Sequence, residues 1–260
     1  MNSAVTVAAI ATMMAGGCAG ASGKGDVYET IRLGRDTFPA AQGEIVISFI
    51  GHGSLGFQYR GRTVYVDPVR SLPGGEVDYT KLDKADYILI THEHDDHCDA
   101  TAVRQLSKPD TRVICNGGAA AKLGKGETMA NGDVLDVAPW LTAETVPAYN
   151  TTPGHEQFHP NNGRDNGYVL TVAGRKIYVS GDTEVIPDRV VEARPEIVFV
   201  PVNQPYTMTP ETAAGQVRKL APGFVLYPYH YGGTSTPTDI SRLTTLLDGF
   251  DADVRIKPMQ

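Results

Sequence analysis

The sequence contains no run of basic residues. Its 260 residues include 23 Lys and Arg against 30 Asp and Glu, a formal net charge of -7. A protein that binds nucleic acid by neutralising phosphates needs a basic patch, so this balance argues against a nucleic-acid partner. With 41% hydrophobic and 20% charged residues, the composition is typical of a globular chain with a sizeable core.

The sequence also lacks an apolar run long enough to span a bilayer. The apolar stretch at residues 4–15 has about the length of a signal-peptide core. Ala15-Gly16-Gly17-Cys18 resembles a bacterial lipoprotein cleavage site, although no Lys or Arg precedes the stretch and Ala15 replaces the usual Leu. We predict an export signal and flexible lead-in at residues 1–25 and one domain at residues 26–260. The protein would be exported and periplasmic, or attached to the membrane through lipidated Cys18; a disordered Ala/Gly-rich tail is the alternative.

Cysteine is scarce, and no Ser or Cys stands in a convincing setting for a nucleophile. Besides Cys18 there are Cys98 and Cys115, which could pair in an oxidising compartment. The run Arg112-Val113-Ile114-Cys115 instead favours Cys115 as a buried strand residue. Cys98 is a bystander or part of a pocket wall, and we favour the bystander.

Short apolar runs separated by Gly-rich turns predict a β-meander in the first half of the chain. The Pro of Asp67-Pro68 is expected to end its third strand, Asp99 to cap a helix, and Asn131-Gly132 to form a hairpin turn. The predicted elements are strands at 44–50, 56–60, 63–67 and 86–90, a helix at 101–107, a strand at 111–115, a helix at 117–124, and strands between 127 and 146.

The second half begins with a predicted hairpin and then alternates helices with strands. Thr209-Pro210 and Thr236-Pro237 each resemble an N-cap followed by Pro at the first helical position. The predicted strands lie at 167–172, 176–180, 196–202, 224–229 and 252–256, and the predicted helices at 188–193, 210–220 and 237–247.

Three histidines and an acidic pair lie within Thr91-His92-Glu93-His94-Asp95-Asp96-His97, directly after a predicted strand. In an extended segment alternate side chains share a face, so His92 and His94 can reach one ion while Glu93 and Asp95 point away. Asp96 and His97 follow in the turn, where they can face a second ion. Ordinary polar loops seldom hold this many imidazoles, so we predict a metal site.

Further ligand types occur singly elsewhere. The polar segment 147–160 is too long for a loop without function and holds His155 and His159. Asp182 and His230 each follow a predicted strand, where a carboxylate or an imidazole can bind a metal. His52 lies in a Gly turn and is either structural or site-lining.

Together these residues resemble the metallo-β-lactamase superfamily. The resemblance rests on His92-Glu93-His94-Asp95-Asp96-His97, a later histidine, Gly181-Asp182 and His230, and it extends over essentially the whole chain from Glu44. It implies an α+β fold, the four-layer αββα sandwich of two mixed β-sheets flanked by helices. A narrower resemblance, to the small metal-dependent hydrolases related to L-ascorbate-6-phosphate lactonase, rests on Gly51-His52, Val66-Asp67-Pro68, residues 177–183 and Tyr229-His230-Tyr231.

The resemblance implies two divalent metal ions. One would be bound by His92, His94 and a loop histidine; His155 matches the common Pro-Gly-His pattern and His159 the nearer relatives, and we choose His159. The second would be bound by Asp96, His97 and His230, with Asp182 bridging both ions. A nitrogen-rich site suits zinc, and the carboxylates would also accept manganese or iron.

This ligand set implies hydrolysis of a small ester, lactone or phosphoester. Two ions about 3.5 to 4 Å apart can share a hydroxide nucleophile, and we expect Asp96, which would orient it, and His230 to be catalytic. One alternative is an iron-dependent oxidoreductase of the same fold, although the flavodiiron oxygen reductases have Glu where His94 stands. Another is a non-catalytic exported metal-binding lipoprotein.

Overall fold

The first half of the chain folds into a mixed seven-stranded sheet. The computed structural model describes residues 34–73, 75–232 and 238–259. In chain order the strands of this half are β1 (Gly34–Ala40), β2 (Gly43–Gly51), β3 (Ser54–Tyr59), β4 (Arg62–Val66), β5 (Ser71–Leu72), β6 (Gly75–Glu76), β7 (Tyr87–Ile90), β8 (Arg112–Cys115) and β9 (Glu127–Thr128). Strands β1 to β4 are antiparallel neighbours, and β7, β8 and β9 extend the sheet in parallel from β4. Strands β5 and β6 pair separately as a short hairpin.

The second half repeats this arrangement in a second seven-stranded sheet. Its strands are β10 (Val134–Ala138), β11 (Leu141–Ala148), β12 (Asp165–Val172), β13 (Arg175–Val179), β14 (Ile197–Pro201), β15 (Phe224–Tyr229) and β16 (Ala252–Val254). Strands β10 to β13 are antiparallel, and β13 to β16 are parallel. Each sheet therefore changes from antiparallel to parallel pairing at its fourth strand.

Helices connect the parallel strands. They are α1 (Ala100–Leu106), α2 (Gly117–Leu123), α3 (Asp188–Ala193), α4 (Pro210–Val217) and α5 (Ile240–Leu246), with a short 3-10 helix at Tyr79–Lys81. The Asp99 carboxylate accepts from the backbone N–H of Thr101 (2.7 Å) and so caps α1 as predicted. Thr209 caps α4, with Pro210 at its first position, which confirms that prediction too.

Side-chain alternation along the central strands builds four layers. In β7, Leu89 faces the other sheet, whereas Ile88 and Ile90 pack with apolar residues of α1 and α2. In β14, Phe199 faces inward and Val198 packs outward against α3 and α4. A strand buried on both faces must be apolar throughout, as both of these are. The predicted αββα sandwich is confirmed.

Parallel pairing brings several strand ends to one edge of the sandwich. Val66, the last residue of β4, pairs with Leu89 of β7, and Pro201 of β14 pairs with Tyr229 of β15. The segments that follow these strands therefore meet at the same edge, and the residues of the candidate site lie there.

Three local features differ from the expectations. Asn131-Gly132 forms a turn between β9 and β10, which belong to different sheets, so the predicted hairpin turn is wrong. The predicted cap of the last helix is also wrong, because α5 begins after Asp239, whose carboxylate accepts from Ser241 N (3.1 Å). Strand β1 was not predicted, since Pro39 obscures its pattern and is tolerated there only because β1 is an edge strand.

Some predictions concern residues outside the ranges that the structure describes. The apolar stretch 4–15, Cys18, Thr236 and Pro237 lie outside the described residues. Within the described ranges, no helix combines the length and hydropathy that crossing a membrane requires.

Candidate metal centre

The His-rich segment begins where β7 ends, and Asp67 holds its first residue. Thr91 donates its backbone N–H to Asp67 Oδ1 (2.7 Å) and its hydroxyl to Asp67 Oδ2 (2.6 Å). The chain then turns tightly, because the N–H groups of His97 and Cys98 both donate to the carbonyl of His94 (3.0 and 2.9 Å). This turn directs alternate side chains to opposite sides.

Glu93 and Asp95 point away from the centre, as expected. Glu93 Oε2 accepts from Asn116 Nδ2 (2.9 Å), and Asp95 Oδ1 accepts from Lys122 Nζ (2.7 Å). A side chain at Gly118 would collide with the Glu93 carboxylate and displace it from its present position. These contacts fix the outer side of the His-rich turn against α2.

His92, His94 and His159 form one group of possible ligands, which we call the imidazole group. Their ligand nitrogens all lie within 4.8 Å of one another. His159 enters from the loop between β11 and β12, and its Nδ1 lies 3.0 Å from Asp165 Oδ2 at the start of β12. The other loop histidine, His155, lies outside the group, with its Nδ1 3.2 Å from Glu184 Oε1.

His52, Asp96 and His230 form a second group, the mixed group, again within 4.8 Å. Asp96 Oδ2 lies 3.2 Å from His52 Nε2 and 3.4 Å from His230 Nε2. The two imidazole rings stack with centroids 3.7 Å apart, and His230 N donates to the carbonyl of His52 (3.1 Å). The sequence left His52 open between a structural and a site-lining role. In the structure it is buried in the site.

Asp182 lies between the two groups. Its Oδ1 is 3.2 Å from His97 Nε2, and its Oδ2 is 3.3 Å from His230 Nε2 and 3.4 Å from His159 Nε2. His92, His97 and Asp182 also have ligand atoms within 4.8 Å of one another. The structure therefore brings the predicted residues of the two halves into one cluster, joined at Asp182.

Three residues that aim side chains into this edge have left-handed backbone conformations. The φ angles of His52, Asp67 and His230 are 51°, 46° and 53°. Residues other than glycine rarely adopt this region, at a cost of about 1–3 kcal/mol each when it is strained. Nearby, a Cβ on Gly53 would lie 2.9 Å from His97 Cε1, so only glycine fits against that ring.

Hydrogen bonds on the outer nitrogens determine which nitrogen faces the centre. His97 Nδ1 donates to Asp67 Oδ2 (2.8 Å), and His159 Nδ1 donates to Asp165 Oδ2. His92 Nδ1 lies 3.0 Å from the Thr91 hydroxyl, whose own proton goes to Asp67. In each case the Nε2 lone pair is left for the centre, the usual arrangement of metal-binding histidines.

Asn203 has the corresponding position behind His230. Its Nδ2 lies 3.2 Å from His230 Nδ1, while its buried Oδ1 has no hydrogen-bond partner among the described residues. Rotating the carboxamide by half a turn would place Oδ1 against Nδ1–H. That orientation satisfies both groups and leaves His230 Nε2 as an acceptor.

Besides Nδ1 of His52, four buried polar atoms in the cluster lack hydrogen bonds within the part of the chain that the structure describes. They are Nε2 of His92, His97 and His230, and Oδ1 of Asp182. Buried polar atoms are normally paired, because an unpaired one costs about 1–3 kcal/mol. Four such atoms that converge on one place fit a divalent cation, and imidazole and carboxylate are suitable donors for it.

The electrostatics of the cluster agree with this. Burial lowers the pKa of His92 well below its usual range and that of His52 to about 4, so both favour the neutral form that binds metals. Burial opposes ionisation of Asp182, but the neighbouring His230 and His97 hold the pKa of its carboxyl well below the usual range. For His97, burial is outweighed by the Asp182 and Asp96 carboxylates, which raise its pKa. The neutral imidazoles of His52 and His92 and the ionised carboxylate of Asp182 suit a cation, whereas His97 would release a proton on binding one.

The two cysteines take no part in the cluster. Cys98 and Cys115 are free, buried, and packed in the apolar layer between the first sheet and its helices. The predictions of a bystander Cys98 and a buried strand residue Cys115 are confirmed.

The sequence did not reveal the supporting residues Asp67, Asp165, Glu184 and Asn203. In the sequence Asp67 stands out only as the residue that ends a strand before Pro68 and as part of the narrower resemblance. A carboxylate at such a strand end, beside a strand that leads into the His-rich segment, was the available signal. For Asp165 and Asn203 no comparable local signal exists.

Comparison with known proteins places the chain in a family. A model of the β-lactamase superfamily domain matches residues 46–230. A metal-dependent hydrolase from Enterococcus faecalis is 31% identical over 198 residues, which cover 71% of this chain and 86% of that protein.

Solved structures agree. A Parabacteroides distasonis protein, provisionally assigned as a metal-dependent hydrolase, is 45% identical, with a TM-score of 0.79 over 88% of this chain and 100% of that one. A metallo hydrolase from Ignicoccus hospitalis, 23% identical, has the same fold, with a TM-score of 0.69 over 83% and 96% of the two chains.

The chain therefore belongs to the metallo-β-lactamase superfamily and is a metal-dependent hydrolase. The narrower resemblance to the L-ascorbate-6-phosphate lactonase group stays a prediction.

Proposed function

We propose that the protein is a dinuclear hydrolase of a small ester, lactone or phosphoester. The observation that supports this most strongly is the convergence of buried, unpartnered Nε2 atoms on Asp182 from two separate groups of ligands. A single ion would engage one group and leave the other unpaired. Two ions would satisfy both.

In this proposal the imidazole group, His92, His94 and His159, holds one ion. Asp96, His97 and His230 would hold the other, and Asp182, which contacts residues of both sets, would be shared between them. His52 donates to Asp96 and thereby orients its carboxylate. Zinc suits this nitrogen-rich set, and the two carboxylates leave manganese or iron as alternatives for the metal analysis to distinguish.

When bound, such ions supply a hydroxide nucleophile near neutral pH and polarise the oxygen of the group under attack. The chain itself orients the reactants. The side chain of Asp96 is 47% exposed, whereas His92, His97 and Asp182 are buried, so the centre opens to solvent on the Asp96 side. Asp96 would there accept a hydrogen bond from an attacking oxygen, and Asn203 and His52 hold His230 beside it.

In this proposal two loops in contact with each other form one side of the way to the opening. The loop between β11 and β12 carries Phe158, and the loop after β14 carries Tyr206; their rings lie 4.9 Å apart. Asn150 Nδ2 donates to the carbonyl of Tyr206 (2.6 Å) and ties the loops together. This wall limits one side of the entrance, which favours a small substrate.

The proposal is tested by metal analysis and turnover together. Purified protein should contain two divalent ions per chain by elemental analysis, and anomalous scattering should place them on either side of Asp182. It should hydrolyse members of a panel of esters, lactones and bis-p-nitrophenyl phosphate. A protein with both ions bound that hydrolyses none of these would contradict the proposal.

Two matched pairs of variants sharpen this test. Asp96→Asn should lose activity, whereas Asp95→Asn, which changes the fully exposed neighbour, should retain it. Similarly, His159→Gln should lose one ion, whereas His155→Gln should retain both. Equal metal loss in the two loop variants would refute the ligand assignment.

We also propose, from the sequence alone, that the protein is exported and attached to the membrane through lipidated Cys18. Labelling with a radioactive fatty acid should mark the wild type and not a Cys18→Ser variant. Unprocessed, unlabelled wild-type protein in the cytoplasm would contradict this.

A further inference from the structure

His155 and Glu184 form a pair beside the candidate metal centre that none of the proposed ligand roles uses. Glu184 is buried, 4% exposed, and every contact it makes is to the loop between β11 and β12. Its Oε2 accepts the backbone N–H groups of Thr151 (2.7 Å) and Thr152 (2.6 Å), and its Oε1 faces His155 Nδ1 (3.2 Å). A carboxylate that already accepts two N–H groups holds an imidazole in one orientation.

The pair is fixed to the centre through the backbone. Glu184 follows Asp182 by two residues, and its own N–H donates to the carbonyl of Tyr149 (3.0 Å). The intervening Thr183 hydroxyl bonds both the N–H and the carbonyl of Tyr149 (3.1 and 3.0 Å). Asp182 and Glu184 thus lie in one short segment after a strand, and these hydrogen bonds hold that segment against the loop. The distance from the centre to His155 is therefore nearly fixed.

The loop itself supplies a second attachment. Asn150 N donates to the carbonyl of His159 (2.8 Å), and Asn150 Nδ2 lies 3.2 Å from the carbonyl of His155. Phe158 N donates to the carbonyl of His155 (3.0 Å), which closes a turn between the two histidines. One residue therefore holds the backbones of the histidine in the centre and the histidine beside it.

The other nitrogen of His155, Nε2, makes no hydrogen bond among the described residues. Its Nδ1 is taken by Glu184, and its side chain is 31% exposed, in contrast to the buried histidines of the centre. Its ring centroid lies 6.2 Å from that of Phe158, which in turn contacts Tyr206. The imidazole is therefore partly exposed beside the centre, with Nε2 open to a group of the substrate.

We infer that His155, oriented by Glu184, is the general acid that protonates the leaving group in the proposed hydrolysis. As the bond from the acyl carbon or phosphorus to the leaving oxygen breaks, its electron pair takes the proton from His155 Nε2, and the product leaves as an alcohol or phenol. The imidazole becomes neutral and regains a proton from solvent. The Glu184 carboxylate holds the imidazole ring in one orientation for the transfer. This inference rests on the proposed function.

A comparison of leaving groups tests it, because a poor leaving group needs the proton and a good one does not. The metal-loaded wild type and the variants His155→Gln, Glu184→Gln and Glu156→Gln are assayed on p-nitrophenyl and phenyl acetate, and on bis-p-nitrophenyl and diphenyl phosphate. Glu156 is an exposed carboxylate of the same loop and serves as the matched control. Metal content is measured for each preparation.

We expect His155→Gln to lower kcat/KM about 100-fold on the phenyl substrates and less than about threefold on the p-nitrophenyl ones. Glu184→Gln should show the same dependence on leaving group to a smaller extent, and Glu156→Gln should match the wild type. All variants should retain the metal content of the wild type.

The contrary outcomes separate this inference from the proposed function. If His155→Gln loses activity equally on both leaving groups, loses none, or loses metal, the general-acid role is wrong while the hydrolase proposal stands. If the metal-loaded wild type turns over none of the four substrates nor any of the wider panel, the proposed function fails and this inference fails with it.

Discussion

At the end of the sandwich away from the candidate metal centre, Asp86 finds partners for its carboxylate among its neighbours. It accepts from Lys108 Nζ (2.7 Å), Arg62 Nη1 (2.8 Å) and the backbone N–H of Thr63 (2.9 Å). At the opposite end, where β4 and β7 finish, Asp182 and three imidazoles have buried atoms without hydrogen bonds among the described residues.

The same strands connect these two ends, so the difference does not come from the fold. Polar groups at the far end satisfy one another and contribute to stability. Those at the metal-centre end are held by outer partners such as Asp67 and Asp165 in positions that suit a bound cation. Changes at the two ends should therefore affect different properties.

The largest effect is expected for Asp182→Asn, because this carboxylate contacts both ligand groups. Metal affinity and kcat/KM should each fall by more than about 100-fold, beyond the usual effect of losing an outer partner. Elemental analysis and steady-state kinetics measure this. Retention of two ions at wild-type affinity would show that the two groups do not depend on Asp182.

Removal of metal should destabilise the protein next most strongly. Metal at 100 times its dissociation constant stabilises the folded state by about 2.7 kcal/mol, so chelation should lower the melting temperature and metal addition should restore it. Calorimetry with and without chelator checks this. An unchanged melting temperature would mean that the unpartnered atoms are satisfied without a cation.

Asp165→Asn should weaken only the imidazole group. Loss of the charged partner of His159 should reduce metal affinity by about 10–100-fold, seen in competition with a chromogenic chelator. The exposed Asp133→Asn, at another strand connection, is the control and should leave affinity unchanged. An equal decrease in both variants would point to general destabilisation instead.

The smallest effect is expected at the far end. Burial opposes ionisation of Asp86, but Lys108, Thr63 N–H and Arg62 together lower its pKa. Its contribution is therefore fully present above the ordinary aspartate pKa of about 4 and is lost as the pH falls through the lower folded value. Asp86→Asn should cost about 1 kcal/mol of unfolding free energy at pH 7, since its partners are partly exposed.

Urea denaturation between pH 7 and pH 2 measures that difference. The difference in unfolding free energy between wild type and Asp86→Asn should be constant at neutral pH and shrink in acid. The variant should keep the metal content and the activity of the wild type. Loss of metal in Asp86→Asn would mean that the far end also supports metal binding, contrary to the distinction between the two ends.

The His-rich segment was predictable because its ligands are neighbours in sequence and alternate by the geometry of an extended chain. The caps Asp99 and Thr209 were predictable for the same reason, since a cap bonds residues two or three positions away. Asn131-Gly132 shows the limit of such signals. The dipeptide does form a turn, but whether the flanking strands pair is decided by the sheets to which they belong.

Local sequence patterns do not predict which residue is the hydrogen-bond partner of each histidine. Asp67 and His97 are 30 residues apart, and Asn203 and His230 are 27 apart. No periodicity relates such positions; strand order does. For a similar reason, local pattern alone could not tell which of His155 and His159 belongs to the imidazole group. Both lie in one loop, and only the contacts with Glu184 and Asp165 distinguish them.

By itself, the sequence determined the order of strands and helices, the His-rich turn and the ligand types at the strand ends, since hydrophobic period and local spacing govern these. Tertiary structure decided which of those residues meet. Parallel pairing within each sheet and the packing of the two sheets face to face bring Asp182 between His97, His159 and His230. The cluster depends on contacts between residues far apart in sequence, and only the folded backbone fixes their distances.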